Sequence, residues 1–503
     1  MRKILLASAA ILGGATGAFA QSDAAQQSFQ SQGMMGMPWA GGPAVNNNNN
    51  AMGIAGPGAN AVPKPGQVVI RLNGKVYSEV DASWGTLLST PAGTLAGQSS
   101  PVKLNNVGIA AYLRLYPGID GMASNGLRYG AAAEIRENFM GGNSANYVAS
   151  QTQTTGSAAS ESGVTSAQTL FVRKAFTYVG SDKVGIVRLG TGDGLISLFD
   201  YTGVFTTGSW DGGIANLNNA GVQAVTPNNY LLTWSFLSGN GVEHGSAKVV
   251  YLTPQFFGFD FGVEYDPNQG NSFSQSNTNS PYQSGSCAVA SANCIGITSG
   301  PDNTRWVNRV AVGARYMGSF SGLDVKAYGV YITSGKNSGP TAATTIATAS
   351  GVLNYDALNE FNGGLAFTYA GFTLNGDFTT GRTNGSNAMV VSGGAPTNAE
   401  LVALSYANGP WSVGAIGAIV DTQGSNQLAG ITQRHEFAFA VGGNYKLAPG
   451  LNLALEYQYL QKHQGGFNFL SNGGNIGASG AALTPVGNDI RVQGLTLATI
   501  VNW

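Results

Sequence analysis

Arg71, Lys75, Arg114, Arg128, Arg136, Arg188 and Arg309 each occupy the polar phase of a segment in which apolar and polar residues alternate. In QVVIRLNGKVYSEVDASW (67–84), Val68, Ile70, Leu72, Val76, Val80 and Trp84 take one phase. Arg71, Asn73, Lys75, Tyr77, Glu79, Asp81 and Ser83 take the other. A period of two sets such groups on opposite faces of a strand. The long connection from Thr191 to Gly245 carries Asp193, Asp200 and Asp211 but no Lys or Arg. Carboxylates facing basic groups across water create a transverse field that orients polar solutes and favours one ion sign. Glu79, Asp81 and Glu134 oppose the basic set, so the balance leans only slightly towards anions. Arg173 and Lys174 are adjacent, and register slips by one at bulges, so neither is assigned a face.

Other chemistry is thinly represented. GTGDG (190–194) follows a strand-like run, but it lacks the third glycine of a phosphate-binding loop and no helical pattern follows it. The chain has no GxSxG elbow and no HExxH. His244, His435 and His463 are scattered and fall at expected loops or rims. Cys287 and Cys294 lie in a Ser/Asn/Gly-rich stretch with no histidine nearby. Outside the cytoplasm a disulfide explains them better than a metal site, which needs more ligands. No catalytic residue, metal or cofactor is expected, and a net charge of −1 gives no field for nucleic acid.

The elements that must position these residues are strands. Charged residues are only 10% of the chain, against about 25% in soluble domains. Arg2 and Lys3, the apolar run from Ile4 and Ala18-Phe19-Ala20 form a secretory signal pattern over 1–20, with cleavage before Gln21. Residues 21–66, with five successive asparagines at 46–50, read as a flexible linker. From 67 to 503 alternating segments recur, and their connections alternate between short and long: seven short turns and eight long loops joining sixteen strands. NNYLLTWSFLSG (228–239) has strand character but would make seventeen, and it is assigned to the third long connection. Only helices and closed barrels satisfy the backbone in lipid, and an even strand number with one short-turn end fits an outer-membrane barrel. The fold expected is therefore an all-β, transmembrane antiparallel barrel of sixteen strands. Apolar groups of the third connection, among them Leu195, Phe199, Trp210 and Trp234, need a surface to pack on, and the wall of the lumen supplies one.

RKAFTYVGSDKVGIVRLG (173–190) and KVVYLTPQFFGFDFGVEYDP (248–267) resemble the strand pairs that flank the constriction loop of Gram-negative general diffusion porins. The closing strand LTLATIVNW (495–503), with its terminal Trp503, is similar too. The resemblance implies a sixteen-stranded barrel in the outer membrane, in contact with its lipid and lipopolysaccharide. It also implies a homotrimer, a third loop folded into the pore, and a terminal aromatic read by the outer-membrane assembly machinery. The activity expected is passive diffusion of small hydrophilic solutes. Two alternatives stay open: a sugar-type channel using lumen aromatics such as Tyr112 and Tyr116, and a structural envelope barrel tethered by 21–66.

Overall fold

The computed structural model describes residues 63–85, 107–138, 171–181, 183–199, 247–268, 306–336, 355–384, 389–390, 392–424, 432–465 and 488–503. They form β1 (Gln67–Gly85), β2 (Val107–Met122), β3 (Arg128–Asn138), β4 (Phe171–Ser181), β5 (Gly185–Thr191), a short helix α1 (Leu195–Phe199), β6 (Ala247–Leu252), β7 (Phe259–Asn268) and β8 (Trp306–Phe320). The second half adds β9 (Leu323–Lys336), β10 (Asn359–Tyr369), β11 (Phe372–Arg382), β12 (Thr397–Asn408), β13 (Trp411–Thr422), β14 (Arg434–Ala448), β15 (Leu451–His463) and β16 (Asp489–Asn502). Each strand pairs with its sequence neighbours, and β1 pairs with β16, so the sixteen close into one barrel. The signal segment, residues 21–62, the 228–239 segment, Asp200, Asp211, Cys287 and Cys294 lie outside the described residues.

Alternation fixes the two surfaces. On β1, Ile70 and Leu72 are 77% and 61% exposed, whereas Asn73, Lys75, Tyr77, Glu79 and Asp81 are buried. Water would penalise so apolar an outer band, but lipid does not. The short connections are tight hairpins where backbone chirality demands it. Ser321-Gly322 and Ala370-Gly371 both have positive φ at their two central residues, the twist-matched turn that joins adjacent antiparallel strands.

Two local features interrupt the regular ladders. Pro117-Gly118 reads as a turn, yet β2 continues to Met122. Pro117 has no N–H, and Tyr116 and Pro117 drop out of the β2–β3 ladder. Pairing with β1 runs straight through them, so the strand survives. On β8 a bulge lies between Val307 and Val310. Asn308 there takes a positive φ and faces out, accepting a hydrogen bond from Tyr265 Oη at 2.9 Å. Arg309, the next residue, turns inward.

The seam between β1 and β16 is continuous from Lys75–Asn502 to Gly85–Val492. Gly74 and Trp503 extend it by exchanging backbone hydrogen bonds of 3.0 and 3.1 Å. The indole of Trp503 lies over Gly74, where a Cβ would overlap the ring.

Candidate functional site

Inside the barrel the first residues of the third long connection, 192–199, press against the wall formed by β7, β8 and β9. Leu195 and Phe199 are wholly buried there, among Val330, Ile332 and Ala311. The wall makes room with glycine: a Cβ at Gly262 would strike Leu195 and Phe199, and one at Gly313 would approach Phe199. Sequence and packing meet at this point, because glycine on an inward strand position otherwise weakens the strand.

Charge then ties the segment down. The Leu195 N–H donates to Glu264 Oε2 at 2.7 Å. Glu264 also accepts from Arg309, whose guanidinium reaches Asp266 at 3.0 Å. Lys248 donates to the Gly192 carbonyl at 3.2 Å and lies 3.8 Å from Asp266. Lys174 donates to Asp193 at 2.6 Å and sits 3.5 Å from Glu134. Arg315 grips Asp260 with two nitrogens, donates to the Leu198 carbonyl at 3.0 Å, and lies 5.1 Å from the centre of the Phe199 ring. Arg188 stacks on Phe176, 4.1 Å from the ring centre. Lys174, Lys248, Arg309 and Arg315 are thus met by Glu134, Asp193, Asp260, Glu264 and Asp266, whereas the terminal nitrogens of Arg188 make no hydrogen bond among the described residues; all ten are nearly inaccessible. Such groups tolerate burial only when paired and hydrogen-bonded. The cluster is balanced in charge, which suits it to anchoring.

A different arrangement occupies β1, β2 and β3. Lys75 and Arg114 are directly opposite in register, and Arg114 is directly opposite Arg136. Lys75 and Arg114 are inward and buried, as is Arg128 nearer the short-turn end. For Arg71 and Arg136 the backbone alone is described. Further along β1, Glu79 accepts from Tyr77 Oη at 2.8 Å, and Asp81 accepts from Thr496. Glu456 on β15 stands opposite Thr496. One inner sector is therefore basic, and the sector beside it across the seam is acidic.

The structure brings Arg188, Arg309 and Asp193 into the anchoring cluster and sets Lys75 and Arg114 apart from it. Lys248, Asp260, Glu264, Asp266 and Arg315 belong to the cluster and were not among the residues singled out from sequence, and Lys174, left there without a face, joins them. The signal for three of them was available: Asp260, Glu264 and Asp266 alternate with Phe261, Val263 and Tyr265.

A sequence profile described as Gram-negative porin matches residues 7–464. The chain belongs to the Gram-negative porins. It is an outer-membrane channel for passive diffusion, built on a closed sixteen-stranded barrel. Among solved structures it is similar to an anion-selective porin from Comamonas acidovorans, at 13% identity and a TM-score of 0.48, covering 87% of this chain and 100% of that one. A multiply substituted porin of Rhodopseudomonas blastica is similar at 13% identity and a TM-score of 0.41, covering 86% of this chain and 100% of that one. Comparison with curated protein sequences found no match. Porins are typically channels without catalytic activity. No cluster of three or more His, Cys, Asp or Glu arranged to hold a metal occurs among the described residues.

Proposed function

We propose that this porin is a general diffusion channel whose weak preference for anions comes from the basic sector on β1–β3, with the third connection narrowing the lumen. The register that aligns Lys75, Arg114 and Arg136 carries this reading. Like charges directly opposite on a sheet are destabilising, so a register that aligns them supports a role in acting on ions over one in stability. The anchoring of 192–199 supports a narrowing loop, because the connection leaves the wall already directed along its inner face. Asp200 and Asp211 are assigned to that loop, Arg71 to the basic wall, and Cys287 and Cys294 to a disulfide within the fourth long connection. A homotrimer in contact with lipopolysaccharide, inserted by the outer-membrane assembly machinery, completes the proposal, and no catalytic step is assigned.

The test is the reversal potential of purified protein in a planar bilayer under a salt gradient. Wild type is expected to show modest anion preference. Lys75→Gln and Arg114→Gln should each move the potential towards the cation side, and the double variant further. A clear cation preference in wild type, or no shift in the double variant, would overturn the assignment. Saturable block of conductance by one sugar would instead favour the specific channel.

A further inference from the structure

Four titratable residues form one row across four adjacent strands at the long-loop end of the barrel. Asp421 on β13 stands opposite His435 on β14. His435 stands opposite His463 on β15, and His463 opposite Asp489 on β16. Residues directly opposite in an antiparallel sheet share a face, with Cβ atoms about 4.5–5.5 Å apart. The face is the outer one: the side chains of His435, His463 and Asp489 are 56%, 45% and 60% exposed.

Each imidazole is held by its outer carboxylate. His435 Nδ1 lies 2.6 Å from Asp421 Oδ1, and His463 Nδ1 lies 2.7 Å from Asp489 Oδ1. An ionised carboxylate only accepts hydrogen bonds, so each Nδ1 is the donor and the neutral ring keeps its lone pair on Nε2. Nε2 is separated from Nδ1 by Cε1 and points away from it. With both Nδ1 atoms held by the flanking strands, each Nε2 is left on the side of the ring away from its carboxylate, the side of the neighbouring histidine. A carboxylate on Nδ1 with Nε2 presented is the arrangement that orients histidine as a metal ligand and raises its basicity.

We infer that His435 and His463 form a surface site for a divalent transition ion of the zinc class, which bridges their Nε2 atoms while Asp421 and Asp489 position the rings. Imidazole suits Zn²⁺, Cu²⁺ and Ni²⁺. Two Zn–N bonds of about 2.0–2.1 Å each span a gap of up to about 4 Å, a reach comparable to the Cβ separation of about 4.5–5.5 Å between directly opposite residues. Two protein ligands leave two tetrahedral positions to water, so the ion exchanges readily. The site lies on the outer rim, outside the pore, and it pins β14 to β15 where long connections begin.

The experiment uses full-length protein in detergent and Zn²⁺ alone, by equilibrium dialysis. One saturable ion per chain is expected at this site. His435→Ala and His463→Ala should each weaken binding at least tenfold, and Asp421→Asn or Asp489→Asn by about 10–100-fold. Heat-modifiable migration confirms that each variant retains its barrel. On wild type, Cu²⁺ bound at one equivalent should show hyperfine coupling to at least two imidazole nitrogens. Unchanged Zn²⁺ affinity in either histidine variant, or coupling to fewer than two nitrogens, would overturn the inference.

Discussion

Lys174 is the sharpest place to test whether charge holds the start of the third connection to the wall. Its ammonium is shared by Asp193, on the connection, and Glu134, on β3, at 2.6 and 3.5 Å. All three side chains are at most 2% exposed, so solvent screens little of the interaction. Lys174→Met keeps the length of the side chain and removes the ammonium that both carboxylates share. Breaking a buried pair from one side costs about 3–5 kcal/mol. At about 1.4 kcal/mol per tenfold, detachment of 192–199 becomes roughly a hundred to a few thousand times more populated. Leu195 reports on it, because its side chain is wholly buried against the wall. In a Cys287→Ser/Cys294→Ser background, Leu195→Cys should react slowly with a maleimide, and Lys174→Met should raise the rate in proportion to the open population. Asp193→Asn should raise it less, since Lys174 then keeps Glu134. Single-channel records of Lys174→Met should flicker where wild type is steady. Labelling at the wild-type rate in Lys174→Met, or faster labelling in Asp193→Asn than in Lys174→Met, would refute the anchoring role.

Two other consequences follow from geometry elsewhere in the barrel. Gly74→Val places a branched side chain where the Trp503 ring lies, and overpacking of this kind costs about 1–3 kcal/mol. The temperature of heat-modifiable unfolding should fall while the reversal potential stays put, and deletion of Trp503 should likewise impair assembly more than selectivity. Between β9 and β10, Asp356 accepts from Ser392 Oγ at 2.6 Å and pairs with Arg382, tying the 355–358 segment to 392–396. The Ser392 hydrogen bond, with help from Arg382, holds the Asp356 carboxyl below its ordinary value. A depressed carboxyl contributes stability above its unfolded pKa of about 3.9 and loses it as pH falls through the lower folded value. Proteolytic protection of this rim should therefore be constant from neutral pH down to about 5 and fail only below about pH 4. Asp356→Asn should remove the difference, and protection unchanged in that variant would contradict it.

The barrel was legible because lipid outside and water inside force a period of two on every strand, and Ile70, Leu72, Lys75 and Glu79 already carry it. Strand ends were less legible. Pro117-Gly118 has the composition of a turn, and only the intact ladder to β1 reveals a strand. The face of Lys174 was unreadable for a definite reason: the β3–β4 register shifts between Glu134 and Ile135, and no residue type announces that shift. Arg309 shows the converse. Its inward direction was readable, but its partners were not, because they depend on a bulge in β8 and on a carboxylate two positions along β7 from the next. Likewise the alternation in LTLATIVNW marks a strand, but the glycine that makes room for Trp503 lies on β1, more than four hundred residues away.

That distinction bears on how the channel handles charge. A wall rich in arginine is easily taken for a wall that attracts anions. Here Arg309 and Arg315 are already matched by Glu264, Asp266 and Asp260, and Lys174 and Lys248 by Glu134, Asp193 and Asp266. A balanced cluster has little field at a distance, since opposite charges a few ångströms apart cancel beyond their own separation. Those basic residues therefore anchor the start of the third connection, while the sign of the field in the lumen depends on sectors where one charge is in excess. Lys75 and Arg114 bring basic groups together on β1 and β2, and Glu79, Asp81 and Glu456 bring carboxyl groups together across the β1–β16 seam. Because the two sectors adjoin, their fields oppose within the lumen. Neutralising Lys75 and Arg114 should then leave the acidic sector unopposed and move the reversal potential towards the cation side, by an amount set by the two lost charges.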